Sequence, residues 1–347
     1  MRGLQMTFLS AVSFSTAVLA APMQDGAATA PLGPDLVEHA TARSISILAQ
    51  DQVLGMGVVI DPSGLAITPG EVAFGSDGKP RTNLRGRLNR AIHPLKVVAY
   101  DASTDLALVA LPERGDYSYA ELADRMSSTV VLVMLPGGAV RGQVAMTGVS
   151  GVIAMNGRFV PLNEIRLDSG GKASTGSPVF LPNGTLAGLI SAELTSDQPT
   201  AVPVESRMLQ GFAAKLGPIK PATTFSPDVS ILDRVITGFR GDSRTIDHPW
   251  IGLFFKTGPA PELGALVTEV TRNSPAEEAG IRVGDAIVGS GLQPFRSHVD
   301  FASFLFGKKP GEQFNLSLSR NRIVRIVSVR LAREPHATSR LIRGSGD

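Results

Sequence analysis

The sequence predicts a mostly β protein: two small barrels in tandem, followed by a compact α+β unit. Three observations predict it. First, residues 55–68 and 178–191 share one plan, in which a Gly- or Pro-led apolar run, a turn containing glycine and a second apolar run follow one another. Second, Ser274-Pro275 opens a short helix that Gly280 closes, between apolar runs at 264–270 and 281–287. Third, a chain of 347 residues exceeds one ordinary domain, and its 37 glycines and 24 prolines supply the turns that barrels need. A formal net charge of +2 gives no global pull toward nucleic acid. The chain has no cysteine, which excludes disulfides and thiolate metal sites, and its five histidines show no metal-ligand spacing. No metal and no cofactor is expected.

The elements follow in order. Met1-Arg2 precedes an apolar run from Met6 to Ala20 that ends in Val18-Leu19-Ala20. This pattern predicts a secretory signal over residues 1–21, leaving a soluble protein without a membrane span; an uncleaved anchor fits less well because the run is short and contains serine. A linker-like stretch at 22–34 leads to a short helix from Asp35 to about Arg43 and a strand at Ser44–Leu48. The hairpin at 55–68 turns on Asp61-Pro62-Ser63-Gly64. Lys79, Arg81, Arg85, Arg87 and Arg90 read as a solvated barrel face. Strands are expected at 96–101 and 104–109, and the second barrel from Ser128, with strands at 130–135 and 143–150. The elbow Ala173-Ser174-Thr175-Gly176-Ser177-Pro178 then leads into the second hairpin, which turns on Pro182-Asn183-Gly184. Ala201–Val204 leads into a helix over Glu205–Leu216, closing a unit that spans 35–216. Residues 217–246 read as a linker with a Pro-rich start and one amphipathic helix, Val229–Phe239. The third unit spans 247–333, with a second helix at Val299–Phe306, and residues 334–347 read as a frayed polar tail.

Several of these motifs resemble the HtrA (Deg) group of trypsin-like serine proteases that carry a PDZ domain. Gly55–Thr68 is similar to that group's opening hairpin, Asp101-Ala102-Ser103-Thr104-Asp105-Leu106-Ala107 to its aspartate motif, and the elbow at 173–178 to its nucleophile loop. Trp250-Ile251-Gly252-Leu253 and the block from Ser274 to Ile287 resemble its PDZ domain. The resemblance implies a trypsin-like double β-barrel followed by a PDZ domain. It places Asp105 at the triad aspartate, Glu71 at the histidine and Thr175 at the nucleophilic serine. Ala173 falls at the oxyanion glycine, with Ser174 and Gly176 completing the oxyanion loop. In the PDZ unit it implies that Trp250, Ile251, Gly252 and Leu253 capture a peptide's terminal carboxylate, while Val299 and Phe304 shape its side-chain pocket. Unfolded or C-terminal polypeptide segments are the implied partners, a homotrimer the implied assembly and the periplasm the implied location.

The chemistry at the triad positions departs from the group. A serine hydroxyl needs a neighbouring base, and histidine serves because its pKa lies near neutrality. Glutamate is a much weaker base, and an internal threonine adds a methyl group and a stiff χ1. Ala173 and Ser177 replace glycines in a loop that must aim amides at an oxyanion. None of His39, His93, His248, His298 and His336 falls at the triad position. The expectation is therefore a periplasmic polypeptide-binding pseudo-protease serving envelope quality control or scaffolding. The alternative is a divergent endopeptidase using Thr175; a third reading is a structural partner of an active relative.

Overall fold

The computed structural model describes residues 32–113, 116–152, 159–168, 173–194, 223–257, 264–296, 298–335 and 339–342. The expected signal segment and the expected helix at 205–216 lie outside these residues.

Helix α1 (Pro34–Thr41) leads into β1 (Ser44–Ala49), β2 (Gln52–Val59) and β3 (Leu65–Pro69). A single turn, α2 (Gly70–Ala73), separates β3 from β4 (Leu84–Leu88), β5 (Ala91–Asp101) and β6 (Leu106–Ala110). Strands run β5-β4-β1-β2-β3-β6, and β5 also pairs with β6, so the sheet closes on itself. Closure encloses side chains such as Ile45, Ile47, Val59, Val97 and Val109, while part of β5 keeps an open side.

The second sheet contains β7 (Val130–Leu135), β8 (Gly138–Val152), β9 (Phe159–Leu167), β10 (Pro178–Phe180), β11 (Leu186–Leu189), β12 (Ala192–Leu194) and β13 (Thr223–Pro227), in the order β11-β10-β7-β8-β9-β13-β12. Its core holds Val131, Val133, Ile165, Leu167, Val179 and Ile190.

Two readings of the sequence are corrected here. The stretch expected as a linker at 217–246 contains β13, which pairs residue by residue with β9 from Thr223↔Arg166 to Pro227↔Leu162. It also contains α3 (Val229–Arg240), whose N-terminus is capped by the Asp228 carboxylate accepting from the Ser230 amide at 3.0 Å. The apolar face of α3 is not solvated. Leu232, Val235, Ile236 and Phe239 join Met56, Val58 and Leu108 of the first barrel and Leu132, Phe180 and Leu189 of the second in one shared core. Burying that face stabilises the helix far more than its propensity does. The polar tail is likewise not wholly frayed: β22 (Ser339–Leu341) adds to β5, pairing Ser339↔Asp101 and Leu341↔Ala99.

The third unit has β14 (Pro249–Trp250), β15 (Leu253–Thr257), β16 (Ala265–Val270), the short helix α4 (Pro275–Glu278), β17 (Ala286–Ser290), β18 (Gln293–Pro294), α5 (His298–Phe306), β19 (Gln313–Arg320), β20 (Ile323–Arg330) and β21 (Ala332–Arg333). Its main sheet runs β15-β16-β17-β19-β20 around a core of Ile251, Val267, Ile287, Phe301, Leu316 and Val329. Helix α4 starts as the sequence predicts: Ser274 Oγ accepts from the Glu277 amide at 3.2 Å.

Candidate functional site

The candidate site is assembled where the second barrel's elbow meets β2 and β3 of the first. In the elbow, the Ser177 amide donates to the Ser174 carbonyl at 2.9 Å, closing a four-residue turn over Thr175 and Gly176. Gly176 has φ +78, the left-handed conformation that the third position of a type II turn demands. A Cβ on Gly176 would also overlap the Met56 carbonyl, so the position accepts only glycine on two counts. The Thr175 carbonyl accepts from the Met56 amide at 2.8 Å, which ties the elbow to β2. The Gly176 amide donates to Ile190 O at 2.7 Å and secures the elbow to its own barrel.

From Met56 the connection continues into the first barrel. Its carbonyl accepts from Thr68 Oγ1 at 2.7 Å, one residue before Pro69 ends β3 and two before α2 begins. Gly55 is the meeting point: a Cβ there would lie 2.6 Å from Thr175 O and 2.7 Å from Val72 Cγ2. Glu71 precedes Val72 in the same turn of helix and is half-buried. Asp105 adjoins that helix's start, since the Gly70 amide donates to the Asp105 carbonyl at 2.7 Å. Asp105 sits at φ +53, is 9% exposed, and accepts from the Tyr100 hydroxyl at 2.8 Å. The fold therefore gathers the segments carrying Glu71, Asp105 and Thr175 at one junction.

Three features of this junction were not read from the sequence. Tyr100 is the donor to Asp105 Oδ1. A Cβ at Gly70 would lie 2.2 Å from Asp105 Oδ1 and 2.6 Å from Tyr100 Cε2, so a side chain there would displace both groups. Ser177, fully buried, places its Oγ 3.2 Å from the Ser174 amide, so its hydroxyl accepts from the backbone inside the elbow. Ala173 is buried at the head of the elbow, and Ser174 is half-buried. Three of the histidines lie elsewhere. His39 Nε2 is 3.1 Å from Gly184 O, His93 lies edge-on to Tyr117, and His248 Nε2 is 2.9 Å from Asp101 Oδ1.

In the third unit, Gly252 adopts φ +78 at the bend between β14 and β15. Its carbonyl accepts from the Thr271 amide at 2.9 Å, and the Ile251 carbonyl accepts from the Ala276 amide at 3.0 Å, so the loop is held against α4. Val299 is 3% exposed and lies beneath the surface. Phe304 packs against Phe295 and Phe314, with ring centroids 5.1 and 5.2 Å away.

Comparison with known proteins matches residues 55–189 to the trypsin-like peptidase domain and residues 242–331 to the PDZ domain. The chain is a homologue of the HtrA-family serine endoproteases. It is 25% identical over 285 residues to the probable periplasmic serine endoprotease DegP-like of Rhizobium meliloti (strain 1021), covering 77% of this chain and 51% of that protein. It is 26% identical over 280 residues to the protein of the same description from Pseudomonas putida (strain GB-1), covering 78% and 54%. The chain thus spans about half the length of the curated relatives it matches. Among solved structures, the HtrA-type protease AlgW with decapeptide superposes with a TM-score of 0.58 at 16% identity, over 87% of this chain and 98% of that one. The HtrA-type architecture accounts for the junction: two barrels meet, and a PDZ domain follows.

Proposed function

We propose that this chain is an HtrA-like pseudo-protease of the periplasm, which binds polypeptide and does not cut it. The single observation that carries the reading is the pair of residues at the junction: Glu71 and Thr175 stand where the resemblance expects a histidine base and a serine nucleophile. Without an imidazole, the threonine hydroxyl lacks a base that is neutral at working pH and charged after taking the proton. In a well-studied serine protease, loss of the nucleophile or the histidine costs about a million-fold, and only ~10³–10⁴ over water survives. That remainder comes from the oxyanion hole, and here Ala173 and Ser177 replace two of the loop's glycines.

Peptide binding is assigned to the PDZ domain. Its loop at Trp250–Leu253 would present amides to a terminal carboxylate, and a peptide would then add to β15 as a strand. The names of the relatives support a periplasmic location, and the apolar run from Met6 to Ala20 agrees with it. Oligomerisation as a trimer belongs to the same proposal.

The test is digestion of unfolded casein by purified protein beside a Thr175→Ala variant. Turnover at background in both, with no labelling by a fluorophosphonate probe, is expected. A second reading is supported by the intact elbow: the left-handed Gly176 and the Thr175–Met56 bond preserve the turn that a nucleophile needs. Cleavage that disappears in Thr175→Ala, with circular dichroism unchanged, would establish that reading instead.

A further inference from the structure

Strand β20 lies at the end of the PDZ sheet, with β19 on its inner side and no strand among the described residues on its outer side. Asn321 and Arg322 link the two strands with φ +53 and +65, the signature of a two-residue type I′ turn. In such a hairpin the pair flanking the turn, Arg320↔Ile323, exchanges hydrogen bonds, and bonded and non-bonded pairs then alternate. Ile323, Arg325, Val327 and Val329 therefore bond inward to β19. Val324, Ile326 and Ser328 direct their amides and carbonyls outward.

The side chains sort in the same way. Val327 and Val329 pack into the PDZ core, whereas Val324 and Ile326 are 64% and 72% exposed on the opposite face. Ile323, beside the turn, is 59% exposed. Arg322, Arg325 and Arg330 are exposed along the strand, and the ion pairs formed by neighbouring basic residues, Arg320–Asp285 and Lys308–Glu312, do not include them. An edge strand that is only being shielded carries charge in place of apolar side chains. This one has both: three exposed β-branched residues beside outward backbone groups, framed by three arginines.

We infer that β20 is a second strand-addition edge, distinct from the Trp250–Leu253 loop and β15, which takes an extended polypeptide with alternating apolar and carboxylate side chains. The backbone groups supply the pairing, Val324 and Ile326 the apolar contact, and the arginines the selection by charge. A second copy of this chain is disfavoured as occupant, because antiparallel pairing of β20 with itself brings both sets of arginines into one narrow interface.

The test uses the mature full chain and a fluorescent hexapeptide, Glu-Val-Asp-Ile-Glu-Val, blocked at both ends so that it offers no terminal carboxylate. Anisotropy should show saturable binding. Arg325→Glu with Ile326→Asp, both at exposed positions, should weaken it at least about tenfold. The same peptide with lysines for its acids should prefer the Arg325→Glu variant, and an apolar peptide with a free C-terminus should not compete. Absence of saturable binding, equal binding by the edge variant, or competition by the free C-terminal peptide overturns the inference. So does an edge variant whose only losses are of sedimentation with phosphatidylglycerol vesicles, which assigns the strand to lipid, or of self-association, which assigns it to a second copy. None of these outcomes depends on whether Thr175 is catalytic.

Discussion

Gly176 shows how one residue sets the elbow. Its left-handed backbone and its approach to the Met56 carbonyl both exclude a side chain. Gly176→Ala should cost about 2 kcal/mol from the backbone conformation alone, with more from the overlap, and urea denaturation will measure it. Asp285 offers a second case. Its carboxylate is 1% exposed and accepts from Arg320 Nε at 2.6 Å, Arg320 Nη2 at 2.7 Å and the Arg282 amide at 2.8 Å. Burial alone would raise its pKa, but the hydrogen bonds and charges of Arg320 and Arg282 outweigh that and hold it below the usual aspartate value. A depressed folded-state pKa adds stability that is complete above the unfolded value of about 4 and is lost as pH falls through the lower, folded value. The stability gap between wild type and Asp285→Asn should therefore be full at pH 6 and shrink below about pH 4, as denaturant titrations at the two pH values will read.

At the scale of the element, α3 is the clearest case of a segment whose role depends on its neighbours. The spacing of Ile231, Val235 and Phe239 already marks an amphipathic helix, but in a linker the apolar side would meet water. In the fold, Leu232, Val235 and Phe239 are fully buried between the barrels. Leu232→Ala should lower the stability of the double barrel by about 3 kcal/mol, measured by thermal or urea unfolding, whereas the same change in a solvated linker would cost almost nothing. Strand β13 follows the same logic. Phe225 is 1% exposed, and the strand fills the position between β9 and β12.

At the scale of the molecule, the PDZ domain is fastened to the barrels by polar contacts that lie far apart in sequence. His248, 1% exposed, places Nε2 at 2.9 and 3.0 Å from the two oxygens of Asp101, which itself accepts from Thr104 Oγ1 at 2.6 Å. The imidazole stacks on Phe306 at 5.2 Å. From α3, Arg234 donates to the carbonyls of Phe306 and Lys308, both at 2.8 Å, and so satisfies the C-terminal end of α5. Asp101 and Asp105 bound one short turn, so the contact that holds the PDZ domain lies beside the loop that carries the candidate triad aspartate. His248→Ala leaves a buried carboxylate without this partner. It should cost about 3 kcal/mol and make the segment around 241–250 sensitive to limited proteolysis, while the barrels retain their circular dichroism.

The extent to which this protein is legible in its sequence follows from how local each determinant is. The hairpins at 55–68 and 178–191, the elbow and the cap at Ser274 rest on turn chemistry and apolar alternation within a few residues, so the chain states them directly. The positions of Glu71, Asp105 and Thr175 are legible in the same way, because each sits in a short motif. The partners of those motifs are not. That Tyr100 donates to Asp105, that the Ser177 hydroxyl meets the Ser174 amide, and that Gly55 lies where Thr175 and Val72 meet all depend on strands brought together from distant parts of the chain. The same holds for β13 and β22, which are too short and polar to declare themselves and become strands because β9 and β5 offer them an open edge. Sequence alone determined which segments bend, alternate and cap. Only the tertiary structure decided which apolar faces were covered and which backbone groups found partners, because burial and pairing are properties of two segments and a sequence motif describes one.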